Sequence, residues 1–311
     1  MFRLAHISDP HLAGWNRPAA GSLLNKRFAG YLSWRLRRVG VHLTPILDQT
    51  IAALKAESPD HIVVTGDIVN IALPDEFARA TRWIETIGSP HDVTVIPGNH
   101  DAYIQLPWSD TIGQWARYMG EDGAVCDRPE SFPFVRIRDG VALIGLSSAC
   151  AMPLTSAGGR LGAAQLDRLR TRLAELGKQG NFRVILIHHP PFGDPRHRRK
   201  ELVDAADLQA VVAQSGVELV LHGHTHISSL NRIAVPNGSA PVIGVASASA
   251  RAWKSKDAAR FHLYEIERRD GAWQVHVAVH TLNAARDGFE RTSSFRLSVP
   301  MAEIQSRPEA A

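Results

Sequence analysis

Apolar residues fall along the chain in short runs that stop at polar turns. The runs are "FRLAHIS" (2–8), "DHIVVTGD" (60–67), "DVTVIPGNHD" (92–101), "VALIGLSS" (141–148), "FRVILIHHPP" (182–191) and "VELVLHGHTH" (217–226). Several are apolar on consecutive residues, as expected of central strands covered on both faces. Between them the apolar spacing changes to three and four. It predicts helices over 44–57, which opens on Thr-Pro, and over 75–87, 163–177 and 204–214. Alternating strand and helix predicts an α/β architecture. After Ile227 the texture changes again. "SLNRIAV", "APVIGVASAS", "ARFHLYEIE" and "WQVHVAVHTL" alternate between turn residues and predict antiparallel strands that complete a sheet. No internal repeat or low-complexity linker interrupts the pattern. Residues 1–299 are expected to form one domain and 300–311 a loose tail.

Composition narrows this picture only slightly. The chain has 311 residues, 44% of them hydrophobic, which suffices for a large core. A net charge of +4 is mildly basic and suits an anionic ligand or a membrane surface. Two cysteines, Cys126 and Cys150, lie outside any CxxC pattern and argue against a disulfide scaffold. The N-terminus reads as a strand rather than a signal peptide, and no apolar run is long enough to span a bilayer. The expected location is cytoplasmic, with attachment to the inner membrane left open. The 15 histidines are more telling, because several fall in pairs after strands.

The chemistry sits at the strand ends. Asp9-Pro10-His11 follows the first run and Gly66-Asp67 the second. Gly98-Asn99-His100-Asp101 follows the third, His188-His189 the fifth, and His222-Gly223-His224-Thr225-His226 the sixth. In open α/β sheets ligands bind at the carboxyl ends of strands, so five segments deliver Asp, His and Asn to one rim. Alone, Asp9-x-His11 reads equally as a turn or a helix cap, Gly66-Asp67 as a turn, and His188-His189 before two prolines as a structural loop. In order, each after an apolar strand, they point to metal. Carboxylate and amide oxygen with imidazole nitrogen, and no thiolate, suits Mn, Fe, Zn or Co. Seven ligands exceed the needs of one ion and suit two that share a bridging carboxylate. Such a pair is the usual clamp for in-line attack on phosphorus.

The order DxH, GD, GNHD, H and GHTH resembles that of the calcineurin-like metallophosphoesterase family, over about residues 3–230. The resemblance implies a four-layer α/β/β/α sandwich of two mixed sheets flanked by helices, with a dinuclear centre between the loops. It implies that Asp9, His11 and His226 hold one metal, that Asn99, His188 and His224 hold the other, and that Asp67 bridges them. His189 and His222 become supports behind the ligands. A hydroxide bridging the metals would attack phosphorus. If Asn99 is a ligand, His100 faces the substrate, where it could protonate the leaving group or stabilise phosphoryl charge. Asp101 is then expected to orient the His100 imidazole and raise its pKa.

Substrate class is less determined. The protein-phosphatase branch of the family usually reads GDxVDRG, whereas this chain has "GDIVNIALP", with Asn70 in place of that Asp and no following Arg. The motifs look closer to the bacterial phosphodiesterase branch, which includes class III cyclic nucleotide phosphodiesterases. The leading expectation is hydrolysis of small phosphodiesters, cyclic nucleotides among them. Residues 22–40 form an amphipathic basic insertion. Leu24, Phe28, Tyr31, Leu32, Leu36 and Val39 fall in one helical stripe, with Lys26 and Arg37 opposite and Arg35 inside it. Two readings are open: a helix packed stripe-inward on the domain, or a cap that touches anionic lipid. The second keeps alive an alternative, a peripheral membrane hydrolase of a lipid-linked diphosphate resembling UDP-diacylglucosamine. Arg196, Arg198 and Arg199 with Lys200 form a basic cluster after the HHPP motif, either a solvated loop or a substrate-steering patch. Nucleic acid is disfavoured by short basic runs and few neighbouring aromatics. A non-catalytic protein-binding module is a third possibility, and it fits poorly with a complete ligand set. Nothing in the pattern sets the oligomeric state.

Overall fold

The structure is a computed structural model that describes residues 1–13, 20–23, 25–37, 39–193, 198–252, 257–269 and 271–300. Two six-stranded sheets face each other. The first contains β1 (Phe2–Ile7), β2 (His61–Val64) and β3 (Val93–Val95), mutually parallel. It is extended on the other side of β1 by the antiparallel β10 (Arg260–Arg269), β11 (Ala272–Leu282) and β12 (Phe289–Pro300). The second runs in the order β4 (Phe134–Arg138), β5 (Val141–Gly145), β6 (Phe182–Leu186), β7 (Leu219–His222), β9 (Gly238–Gly244), β8 (Ser229–Val235). There β5, β6, β7 and β9 are parallel, while β4 and β8 run antiparallel at the edges.

Strand alternation separates two packing layers. Leu143, Val184 and Leu221 point into the core between the sheets, while Ala142, Ile144, Ile185 and Val220 pack under helices α4 (Ala163–Lys178) and α5 (Ala205–Ser215). Helices α2 (Thr44–Ala56) and α3 (Pro74–Ile87) cover the far face of the first sheet through Leu47, Leu54, Phe77 and Ile84. The result is the expected α/β/β/α sandwich of two mixed sheets. The four helices begin and end within a residue of the sequence expectation.

The late strands depart from it. They were expected to complete one sheet, antiparallel throughout. Instead β8 and β9 close the second sheet and β10 and β11 the first, and β9 lies parallel to β7. Alternation in a sequence gives face orientation and says nothing about which sheet a strand joins. β4 and β12 were not expected at all. β4 follows Pro133 and carries the buried Arg136, and β12, "FERTSSFRLSVP", is a polar edge strand. Pro300, expected to open the tail, closes β12 instead, and 301–311 lie outside the described residues.

Helix α1 (Lys26–Arg37) also departs from the stripe-inward reading. Arg27 is buried, its guanidinium donating to the Ile71 and Ala72 carbonyls, while Phe28, Leu32 and Leu36 face solvent. Leu24 and Arg38 lie outside the described residues.

Two buried histidines away from the strand-end cluster make acid stability testable. His61 bonds Thr94 Oγ1 at 2.8 Å, and His262 lies in β10. Burial first, then the Arg138 and Arg136 charges for His61 and Arg260 for His262, pushes both pKa values down to about 3. Unfolded, each titrates near 6.5, so below about pH 6.5 the unfolded chain takes up protons that the folded chain refuses. Stability is therefore whole above that pH and falls as pH drops toward 3, by up to about 1.4 kcal/mol per pH unit for each ring. The Tm of His61→Gln, which keeps a partner for Thr94, is expected to fall less steeply than wild type from pH 7 to 5. Parallel slopes would contradict this.

Candidate metal centre

The site forms where the C-terminal ends of five parallel strands meet: β1, β2 and β3 from one sheet, β6 and β7 from the other. The loops are zipped together by backbone bonds, with Asp9 N donating to Gly66 O at 2.9 Å and His11 N to Asp67 O at 3.1 Å. Five of the nine described non-glycine residues with positive φ are Asp9, His11, Asp67, His224 and His226. Left-handed backbone at bulky residues costs about 1 kcal/mol or more each, and it gathers where the fold forces side chains to converge. Gly98 and Gly223 allow this crowding. A Cβ on Gly98 would strike the Asp67 carboxylate, and one on Gly223 would strike Ser8 and Asp9.

Every residue expected as a ligand reaches this point. Asp67 Oδ2 lies between His11 Nε2, at 3.8 Å, and His188 Nε2, at 3.3 Å. On the His11 side, Asp9 Oδ1 is 3.1 Å from His226 Nε2 and 3.9 Å from His11 Nε2, and the two imidazole Nε2 atoms are 3.4 Å apart. On the other side, Asn99 Oδ1 is 3.2 Å from His188 Nε2, and His224 closes a group with Asp67 and His188. Atoms bound about 2.1 Å from one ion sit roughly 3–3.5 Å from each other; the pairs at 3.1–3.4 Å match that spacing, and the two His11–carboxylate pairs at 3.8 and 3.9 Å are slightly wider.

The donor set fits cations in other ways. The buried His224 Nε2 has no hydrogen-bond partner. Burial and neighbouring imidazoles push the His11 and His224 pKa values well below the usual range, so both rings are neutral, the form that ligates metal. His188 goes the other way. Despite burial, Asp67 and Asp9 raise it to about 9, so in the metal-free chain a proton supplies the positive charge that this corner needs. His188 Nδ1–H donates to the Thr65 carbonyl at 2.7 Å, which turns Nε2 toward Asp67 and Asn99.

The supports are partly as expected. His189 is pinned between Ser148 Oγ (2.8 Å) and the Ala157 carbonyl (3.1 Å), with its ring against His224. His222 Nδ1–H donates to the Gly223 carbonyl at 3.0 Å, so it acts on the site only through the turn that carries His224. Asp101 is different. Its carboxylate accepts four backbone N–H bonds, from Asp67, Ile68, Val69 and Gly98, at 2.8–2.9 Å. Burial and the Asp67 charge push its pKa up to about 7, against the pull of those amides. It ties the β2 loop to the β3 loop. The imidazole of His100 is oriented by the Asn70 carbonyl, which accepts from Nδ1. The expected Asp101–His100 pairing is thus replaced by Asn70–His100, because both oxygens of Asp101 are occupied by the turn around Asp67. Glu76, buried at the start of α3, holds the Asn70 loop in turn by accepting from Asn70, Ile71 and Leu73 N.

A cavity of about 590 Å³ opens beside the centre, with Asn99 and His100 in its floor. Its walls include Lys26, Gly30 and Trp34 of α1, Tyr103, Cys150 and the 152–158 segment. Tyr103 stacks on His100 at 5.7 Å, and the Lys26 ammonium lies 4.4 Å from the Tyr103 ring. Of the expected basic patch, Arg199 and Lys200 line this cavity, Arg196 lies outside the described residues, and the Arg198 side chain is likewise undescribed.

The sequence pattern missed His42. Its ring lies 4.5 Å from His11 and 5.4 Å from His226, and Nδ1 bonds Ser249 Oγ at 2.9 Å. It follows the insertion and belongs to no strand-end motif, so only the high histidine count hinted at it. Asn70 was noted only as a departure from the protein-phosphatase pattern, with no role toward His100, and nothing in the spacing of Trp34 or Tyr103 marks them.

A family model described as calcineurin-like phosphoesterase matches residues 2–228. A probable cyclic nucleotide phosphodiesterase from Synechococcus sp. is 28% identical over 242 residues, covering 76% of this chain and 84% of that protein. A second, from Rhodococcus erythropolis, is 30% identical over 230 residues, covering 73% of this chain and 65% of that one. A crystal structure of a dimetal phosphatase from Danio rerio shares the fold, with a TM-score of 0.56 at 15% identity over 96% of this chain and 99% of that one. With its strand-end motifs in order and the family model spanning every one of them, the chain belongs to the calcineurin-like phosphoesterase family, hydrolases of phosphoester bonds.

Proposed function

We propose that the protein hydrolyses small phosphodiesters, cyclic nucleotides among them. The observation that carries this is Asp67 Oδ2 set between the His11 and His188 nitrogens, beside a cavity of small-molecule size. Asp9, His11 and His226 would hold one ion and Asn99, His188 and His224 the second, with Asp67 shared. Two such ions, when bound, polarise a phosphoryl oxygen and lower the pKa of water. The chain's own groups do the rest. His100, with Nδ1 engaged by Asn70, exchanges protons through Nε2 and can supply one to the departing oxygen. Lys26, Arg199 and Lys200 draw in the phosphate, and Trp34 and Tyr103 line the same cavity. The diesterase reading is supported by relatives named as probable cyclic nucleotide phosphodiesterases.

Hydrolysis of bis(p-nitrophenyl) phosphate tests this directly. Chelator is expected to abolish turnover and Mn to restore it, with 3′,5′-cyclic AMP cleaved and 5′-AMP left intact. Activity indifferent to chelator, or confined to monoesters, would overturn it.

A further inference from the structure

Helix α1 presents two unlike faces. One lines the cavity and buries Arg27; the other carries Phe28, Leu32 and Leu36, 58%, 45% and 72% exposed, with Val39 53% exposed one turn on. Single exposed apolar residues are ordinary. Three at successive spacings of four form a stripe along the helix, and Val39 lies just past its end. Across the cavity mouth Leu154, also lining the cavity, is 59% exposed. The helix is pinned to the body, because the Lys26 ammonium donates to the Met152 carbonyl at 2.9 Å, so the stripe is not a segment waiting to fold inward.

The sequence that carries the stripe is one-sided in charge. From His11 to Leu47 the chain carries Arg17, Lys26, Arg27, Arg35, Arg37 and Arg38 and not one Asp or Glu. Arg35 is exposed within the stripe itself, and the Arg251 guanidinium lies beside Gly40 at the end of the helix. A second copy of this face would set Arg35 against its own kind, since Arg27 is turned inward and Lys26 faces the cavity. An anionic bilayer answers both properties, taking apolar side chains below its headgroups and basic ones among them. No described helix is long and apolar enough to cross a membrane, so a contact of this kind lies in the surface plane.

We propose that α1 is a membrane-contact helix that rests its Phe28–Leu32–Leu36 stripe on an anionic lipid surface, with the cavity mouth beside that surface. This contact is independent of the diesterase reading, since its test measures binding rather than turnover. Wild type and the Phe28→Ser/Leu32→Ser/Leu36→Ser variant would be sedimented with phosphatidylcholine vesicles, with and without about 30 mol% phosphatidylglycerol. Wild type is expected to sediment with the anionic vesicles, more weakly as salt rises, and the variant to bind about tenfold more weakly or less. The variant's turnover of bis(p-nitrophenyl) phosphate is expected to stay within about twofold of wild type, because none of the three side chains lines the cavity. Wild type that ignores anionic vesicles, or a variant that binds them equally well, would overturn the proposal. So would a wild-type dimer that the three serines convert to monomer without vesicle binding, which would assign the face to a second copy. If wild type binds vesicles and hydrolyses no diester, the diesterase reading fails and the contact stands.

Discussion

Asp67→Asn is expected to lower diester turnover by at least about a thousandfold, roughly 4 kcal/mol of barrier. Asn keeps the volume and removes the charge. One Asp67 oxygen accepts the His100 backbone N–H at 2.8 Å, and the other lies between His11 and His188. An amide must point its NH2 at one of these. Toward His100 it sets donor against donor; toward the histidines it replaces a shared anionic ligand with a group that cannot ligate through its nitrogen. Metal analysis of the purified protein separates this from misfolding: bound ions should fall from two per chain to one or none, with circular dichroism unchanged. Turnover within about tenfold of wild type, or two ions retained, would contradict the bridging role.

Asp101→Ala is expected to act through stability. The carboxylate satisfies four buried amides in two loops, and its removal leaves them without acceptors. Partial relaxation and water entry recover some of the loss, leaving about 4 kcal/mol of destabilisation, which for a chain of this size lowers Tm by roughly 10 °C. The Asp67 and Asn99 loops would lose their register together, so metal affinity should fall too. Asp101→Asn separates this from a role in tuning His100. The structural role predicts a lower Tm, because the amide brings N–H groups into a cluster of N–H donors. A tuning role predicts an unchanged Tm and a displaced pH profile.

Much of the architecture was legible in the sequence because its signals are local. The buried strands are uninterrupted apolar runs, the helices keep spacings of three and four, and each expected ligand follows a strand directly. Strand-end position then converts sequence order into spatial convergence. The rest depends on long-range pairing. Whether β9 runs beside β7 is set by packing between the sheets, and no feature of "APVIGVASAS" states it. Asp101 and Asn70 exchanged expected roles because the competition for Asp101 comes from amides more than 30 residues away. His42 meets His11 only because the chain returns along Ser247 and Ser249, which bond its Nδ1. Helix α1 departs from the stripe-inward one of its two open readings for a different reason. The stripe shows which residues share a face, and Arg27 took the inward place because the Ile71 and Ala72 carbonyls needed donors there.

The central claim is a pair of ions divided by one carboxylate. Anomalous diffraction at the Mn edge, from crystals grown with Mn, tests it most directly. The account predicts two peaks about 4 Å apart, one enclosed by Asp9, His11 and His226, the other by Asn99, His188 and His224, with Asp67 touching both. A single peak, or none at Asp67 under saturating metal, would contradict it.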